Sequence, residues 1–494
     1  MELTKDQQKA YDLMMSGKNV FLTGEAGTGK SFLLNKFIED NEDKKILITA
    51  PTGIAAIEIG GATLHRTFDI PVKDLHKISA GPKKVNDAVD AAEILIIDEI
   101  SMCRLDVFEY VLKAIQIADR YRHPDDRYQI ILVGDFLQLP PVLSKDESSL
   151  YNELHGHSQV FPFFSPLWNV FNFSTIELKE VVRQQGDDVL IKNLNLARRG
   201  DSSCIPYFNN FVSSYDKFND DAIFICPTNK KASEINNQKI DELDGDPVTY
   251  KSTVEGDVSY SDKPTDDELT LKVGARIMTL VNDSSFEYFN GSMGTCTMLC
   301  DGGIIAEMDN GSNVFIGFHE WEVRKYDMKE KKDPKTGTVK KEVKLKKIGS
   351  FTQLPIKVAF AITTHKSQGQ TFDKAIIDPY AWDNGQLYVA LSRVKTSEGL
   401  QLSKRISQNY LTANSSVLEF YKKYEEFLAK KDEDNKAAVQ KDENIDREEI
   451  VTKDLVAMFF PKEYSEVLHE AVDSILANDK ERFLEIADKI WEKK

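Results

Sequence analysis

An α/β fold with two parallel-sheet cores is what this 494-residue sequence predicts, and three observations carry the expectation. Short β-branched runs, apolar on both faces, alternate with helical patterns over the first 140 residues and return between Ala222 and Asp378. Strands buried on both faces occur mainly in parallel sheets covered by crossover helices. A glycine-rich turn joins the first of these runs to a helical stretch. Between 276 and 350 the period changes to two, the mark of an antiparallel, half-buried insert.

Length and composition agree. At roughly 150 residues per domain, such a chain holds about three domains. Hydrophobic residues make up 41%, which excludes global disorder. Lys+Arg 63 against Asp+Glu 80 leaves −17, so the chain is no polycation. A local basic groove could still hold nucleic acid. The five cysteines are widely spaced, with no CxxC pair, which fits a reduced compartment rather than disulfides or zinc. Cys296 and Cys300 have no nearby histidine or second cysteine pair to complete a metal shell. No apolar run approaches the length of a membrane span, and Met1–Lys5 opens no apolar signal segment. The expectation is a soluble, intracellular protein, cytoplasmic if bacterial or phage.

The elements follow in order. Asn19–Leu22, Lys45–Thr49, Ile94–Ile97 and Ile130–Val133 are strands of the first core, expected over 1–175 with a small insert at about 66–85. Ala222–Cys226, Ile356–Phe360 and Ala375–Asp378 are strands of the second, expected over 176–275 and 351–403. In the insert between them, Lys341, Val343 and Leu345 alternate with Lys340, Glu342, Lys344 and Lys346. Asp333-Pro334-Lys335-Thr336-Gly337 supplies the turn, giving a basic hairpin over Lys329–Lys347. From 404 to 494 a helical extension is expected: Val417, Phe420, Tyr421, Tyr424, Phe427 and Leu428 recur at helical spacing. Asp432–Arg447 is a charged linker or a solvated helix, and Leu468–Ile475 and Phe483–Ile490 are two short amphipathic helices.

Gly24-Glu25-Ala26-Gly27-Thr28-Gly29-Lys30-Ser31 matches G-x-x-x-x-G-K-[ST] between a strand and a helix. Backbone N–H groups curl around phosphate there and the helix N-terminus adds a favourable dipole. Lys30 is expected on the β/γ-phosphates and Ser31 on Mg²⁺. Ile94–Ile97 ends in Asp98-Glu99. Asp98 is expected at the metal and Glu99 at the attacking water, a pairing suited to hydrolysis. Gln138, within Gly134–Pro141 after the next strand, is placed to sense the third phosphate.

This ordered set resembles superfamily 1B helicases, more narrowly the Pif1-like DNA helicases, over roughly residues 1–403. Leu3–Gln7 resembles the adenine-reading Q motif, so Gln7 is expected at the base. Thr49–Ala56 with Gly61–His65 resembles motifs Ia and Ib, Asp98–Met102 motif II, and Gly134–Pro141 motif III. Cys103–Arg120 resembles the family's signature helix and Val182-Arg183-Gln184 motif IV. Thr363–Thr371 and Tyr388–Arg393 resemble motifs V and VI.

The resemblance implies two RecA-like P-loop domains with ATP and Mg²⁺ between them, and an SH3-like β insert in the second. It implies 5′→3′ movement on single-stranded DNA and unwinding of forked duplexes, in replication, repair, recombination or telomere maintenance. Gln368 and Gly369 are expected at the nucleotide, and Arg183 and Arg393 at the γ-phosphate when the cleft closes. Thr52, Thr63 and His65 on one core, with Thr364, His365 and Lys366 on the other, are expected to grip the DNA backbone. His65 could equally be a structural hydrogen-bonder. The segment from Phe68 to Lys84 is expected as a wedge, and the basic hairpin as a channel roof or a charge-protected edge. Two alternatives stay open: a Dda- or RecD-type helicase with a longer wedge, and a nucleotide-gated protein that binds a protein partner through its C-terminal extension.

Overall fold

The computed structural model describes residues 3–439 except 72–73, 124–125, 181–185, 214–220, 284, 286 and 333–338. The apolar runs become the buried middle of two parallel sheets. In the first, β1 (Val20–Gly24), β2 (Ile46–Ala50), β3 (Ala62–Thr63), β4 (Ile94–Ile97), β5 (Gln129–Val133) and β6 (Ser174–Leu178) lie in the order β3-β2-β4-β5-β1-β6. Every pairing is parallel. All four residues of β4 are at most 2% exposed. Burying each is worth about 1.5–3 kcal/mol, so the strand that ends at Asp98 is firmly anchored.

The second core begins with β7 (Ile223–Cys226). The chain then leaves for β8 (Val248–Lys251), β9 (Thr253–Gly256), β10 (Glu268–Leu271), β11 (Arg276–Thr279), β12 (Met293–Cys300), β13 (Gly303–Met308), β14 (Asn313–Gly317), β15 (His319–Lys332), β16 (Val339–Gln353) and β17 (Ile356–Val358). It returns for β18 (Ala361–Thr363), β19 (Ala375–Ile377) and β20 (Leu400–Leu402), which pair parallel in the order β18-β7-β19-β20. The helix Asp188–Arg198 belongs here through Leu190, Leu194 and Ala197, which share a buried cluster with Ile223, Ile362 and Ile377.

The insert is antiparallel: a five-stranded sheet β14-β13-β12-β11-β17, a three-stranded sheet β15-β16-β9, and the pair β10-β8. Two expectations change here. The antiparallel strands begin at Val248 rather than 276, because Tyr250, Leu269 and Leu271 bury with Ile304 and Ile316. Ile356–Phe360 is also not one strand of the second core. Ile356–Val358 pairs antiparallel with β11, and only after Ala359 and Phe360 does Ala361 enter the parallel sheet.

The segment expected as a wedge carries a short helix, Leu75–Ala80, packed on the first core. Phe68, Ile70, Leu75 and Ile78 are buried. Lys113 Nζ, on the helix Leu105–Asp119, donates to the Ser79 carbonyl at 3.2 Å. These apolar side chains face inward because they complete the first core's cover.

Residues 3–167 and 173–414 form one compact unit. Residues 168–172 form a second with the helix Ser415–Val439, where Val417, Phe420, Tyr421, Tyr424 and Phe427 are buried and Phe420 meets Trp168 edge-on at 5.9 Å. The start of the expected linker, up to Val439, is helical. The two amphipathic helices beyond it lie outside the described residues.

Candidate functional site

The P-loop takes the shape its glycines allow. Gly29, at φ 84°, caps the helix Lys30–Glu39, and a Cβ there would strike the Gln7 amide at 2.5 Å. Lys30 Nζ donates to the carbonyls of Gly24 (2.7 Å) and Glu25 (2.9 Å). Burial pushes the lysine's pKa down, with Asp135, Glu99 and Asp98 pulling the other way. Ser31 is exposed at the helix start, and the Thr28 hydroxyl donates to the Glu25 carbonyl. Gln7 is buried: Oε1 accepts the Thr4 N–H at 3.0 Å while Nε2 donates to the Thr28 carbonyl at 3.1 Å. One amide therefore closes the first helix's capping box and fastens that helix to the P-loop.

At the end of β4, Asp98 Oδ1 accepts the Glu99 N–H at 2.9 Å. Glu99 adopts φ 50°, a left-handed conformation that costs a non-glycine residue about 1–3 kcal/mol. The strain aims its carboxylate across the cleft, where Gln368 Nε2 donates to Oε2 at 2.9 Å. Both acids are pushed well above the usual carboxylate range by burial, and Glu99 further by Asp98. Gly369, beside Gln368, is exposed at φ 79°.

The motif III turn ties the cores together twice more. Asp135 accepts a forked ion pair from Arg198, Nε to Oδ2 at 2.9 Å and Nη2 to Oδ1 at 3.0 Å. Arg198 also reaches Glu177 at 3.2 Å, and Asp135 takes the Leu137 N–H (3.1 Å) and Gln138 Nε2 (3.4 Å). Burial works to raise the Asp135 carboxyl, but Arg198 outweighs it and holds the group below its ordinary value. Glu25, beside this network, is pushed up to about 7, chiefly by burial. Gly385 of the second core, at φ 73°, lies so close that a Cβ would collide with the Gln138 and Leu137 carbonyls. The Ala26 N–H of the P-loop donates to the Tyr388 hydroxyl at 3.2 Å.

Arg393 is 1% exposed and spent within its own core. Its guanidinium donates to the Val389, Ser367 and Gln370 carbonyls and to Ser392 Oγ at 2.8–3.3 Å. Its charge still reaches Glu99, where it opposes the upward shift. Arg183, the other expected arginine, lies outside the described residues.

The six expected DNA contacts differ in availability. Thr52 and Thr63 hydroxyls each cap a short helix, accepting the Ala55 and Arg66 N–H groups at 3.3 Å. Thr364 is 3% exposed, and its hydroxyl donates to the Cys226 carbonyl at 3.4 Å. His65 and His365 are half-buried, and burial lowers the pKa of both imidazoles, while Lys366 is exposed.

Four residues make contacts between distant segments that the sequence does not foretell. Arg198 and Tyr388 were missed because their partners are 63 and 362 residues away. Arg66 pairs with Asp262 at 2.6 Å and Asp257 at 3.3 Å, binding the first core to the insert's acidic segment. Tyr326 of β15 is buried against β2, its hydroxyl accepting the Ile48 N–H at 2.7 Å.

The donor set fits Mg²⁺. Asp98 and Ser31 offer hard oxygens, and burial holds the Asp98 carboxyl above its ordinary value against the pull of the Glu99 N–H and Lys30. Among the described residues no group of three or more His, Cys, Asp or Glu gathers for a metal.

A family model described as PIF1-like helicase matches residues 2–195. The ATP-dependent DNA helicase Pif1 of Campylobacter jejuni is 33% identical over 456 residues, covering 84% of this chain and 95% of that protein. A Bacteroides Pif1 crystal structure with ADP-AlF4 superposes with a TM-score of 0.74 at 33% identity, covering 86% of this chain and 98% of the other. Bacteroides Pif1 bound to single-stranded DNA superposes with a TM-score of 0.61, at 33% identity over the same shares.

Proposed function

The chain belongs to the PIF1-like helicase family and is an ATP-dependent DNA helicase with two RecA-like cores; we propose that it moves 5′→3′ along single-stranded DNA by hydrolysing Mg-ATP between those cores, opening forked duplexes as it goes. The observation that carries the reading is the Gln368–Glu99 hydrogen bond. It joins the carboxylate at the end of the first core's β4 to the second core's motif V.

The proposed steps use this chain's own groups. The P-loop N–H groups and Lys30 bind the phosphates, Lys30 by exchanging the Gly24 and Glu25 carbonyls for phosphate oxygens. Gln7 sits at the P-loop's flank as the base-reading residue. Ser31 and Asp98 would hold Mg²⁺, which neutralises developing phosphate charge when bound. Glu99 orients and deprotonates the attacking water, and Gln138 follows the γ-phosphate. Arg393 completes the site on closure, exchanging its carbonyl partners for phosphate oxygens, and Arg183 joins it at the γ-phosphate. Thr52, Thr63 and His65 hold DNA on one core, and His365 and Lys366 on the other. Alternating grips then advance the motor as the cleft opens and closes.

An unwinding assay on 5′-tailed, 3′-tailed and forked duplexes with ATP and Mg²⁺ tests this. The reading expects opening of 5′-tailed and forked substrates. Opening only from a 3′ tail removes the polarity. Hydrolysis without ssDNA stimulation favours the nucleotide-gated alternative, in which the C-terminal extension binds a protein partner.

A further inference from the structure

We propose that Arg198 is a positioning residue for hydrolysis, acting from the second core through Asp135 on Gln138 and the P-loop; the inference rests on the helicase reading above. The helix Asp188–Arg198 packs in the second core through Leu190, Leu194 and Ala197, yet its last residue points into the first. Arg198 is 2% exposed and Asp135 1%. At such burial a charge survives only when paired and hydrogen-bonded. The fork satisfies both Asp135 oxygens at 2.9 and 3.0 Å, the geometry arginine offers and lysine does not.

Asp135 is the hub of the turn. The oxygens that face Arg198 also hold the Leu137 N–H and the Gln138 amide. Arg198 therefore fixes where Gln138 starts from. It also sets the field at the phosphate lysine. Glu25, Asp135 and Glu177 crowd the base of the P-loop, and Arg198 is ion-paired with two of them. Without that cation, the Asp135 carboxylate would draw Lys30 away from its Gly24 and Glu25 carbonyls. Because the cation comes from the other core, its pull on Asp135 depends on how closely the cores approach. Core separation is thus transmitted to the phosphate site through one side chain.

The test compares Arg198→Gln and Arg198→Lys in the full chain, measuring ssDNA-stimulated kcat, KM for ATP and melting temperature. Arg198→Gln should lose about 10²-fold in kcat, the cost of misplacing a positioned group, with KM little changed. Arg198→Lys, which restores charge without the fork, should recover part of that loss. An unchanged kcat in Arg198→Gln, or a loss seen only in KM, overturns the proposal. If Arg198→Gln does not fold, the pair Arg198→Gln with Asp135→Asn removes both buried charges. Low kcat in that folded pair supports the role, and wild-type kcat refutes it. A wild-type protein with no ssDNA stimulation would instead overturn the helicase reading.

Discussion

Glu99 and Gln368 stand 269 residues apart in sequence and 2.9 Å apart in the fold, amide donating to carboxylate across the cleft. Glu99→Gln should retain nucleotide binding and lower turnover about 10²–10⁴-fold. Gln368→Ala should bind nucleotide normally but respond weakly to ssDNA. Fluorescent-nucleotide binding and single-turnover hydrolysis check both, and normal turnover in Glu99→Gln removes its role at the water.

Arg393→Ala should lose about 10³-fold or more in hydrolysis if the arginine reaches the γ-phosphate on closure. Its four donors now stabilise the second core. The melting temperature should therefore be recorded alongside. A folded variant with wild-type turnover places Arg393 outside the chemistry.

Glu25 gives a pH dependence of stability. Its carboxyl is raised from 4.5 to about 7 in the fold, so between those values the native state holds a proton the unfolded chain has released. Stability then falls as pH rises through that window. Glu25→Gln removes the cost and should be stabilised relative to wild type by about 1–3 kcal/mol at pH 8, allowing for solvent screening, and by little at pH 4. Denaturant melts at the two pH values decide it.

Asp262 joins the insert to the first core through Arg66 at 2.6 Å, with side chains 6% and 15% exposed. Asp262→Asn should cost about 1–3 kcal/mol. Amide exchange should quicken over 257–262 and 63–67. Unchanged exchange would show that the remaining contacts suffice.

Chelation should stop turnover while leaving the melting temperature unchanged. No metal-binding cluster holds the fold together among the described residues. A large fall in melting temperature with EDTA would reveal a structural ion.

The nucleotide site was legible because its parts are local. A P-loop, a strand-end Asp-Glu and a Gly-Asp turn each fit within a few residues, and the backbone geometry follows from them. The parallel sheets were legible for the same reason, since runs such as Ile94–Ile97 carry their burial in their composition. What sequence left dark depends on closure at a distance. Nothing around Arg198 announces Asp135, and nothing around Asp257 and Asp262 announces Arg66. The run Ile356–Phe360 divides between two adjoining sheets, because an apolar run does not say which sheet it enters. Thr364 matched a motif, yet its hydroxyl satisfies a backbone carbonyl, which only coordinates reveal.

β3 pairs with only the last two residues of β2, and among the described residues no strand pairs the rest of that margin. Tyr326 supplies a hydroxyl to Ile48 there. A bare sheet rim is a template for pairing with other molecules. The tyrosine hydroxyl therefore takes the Ile48 backbone groups that a further strand would take. A chain trimmed of its long β hairpin should self-associate, even with every nucleotide-binding group intact.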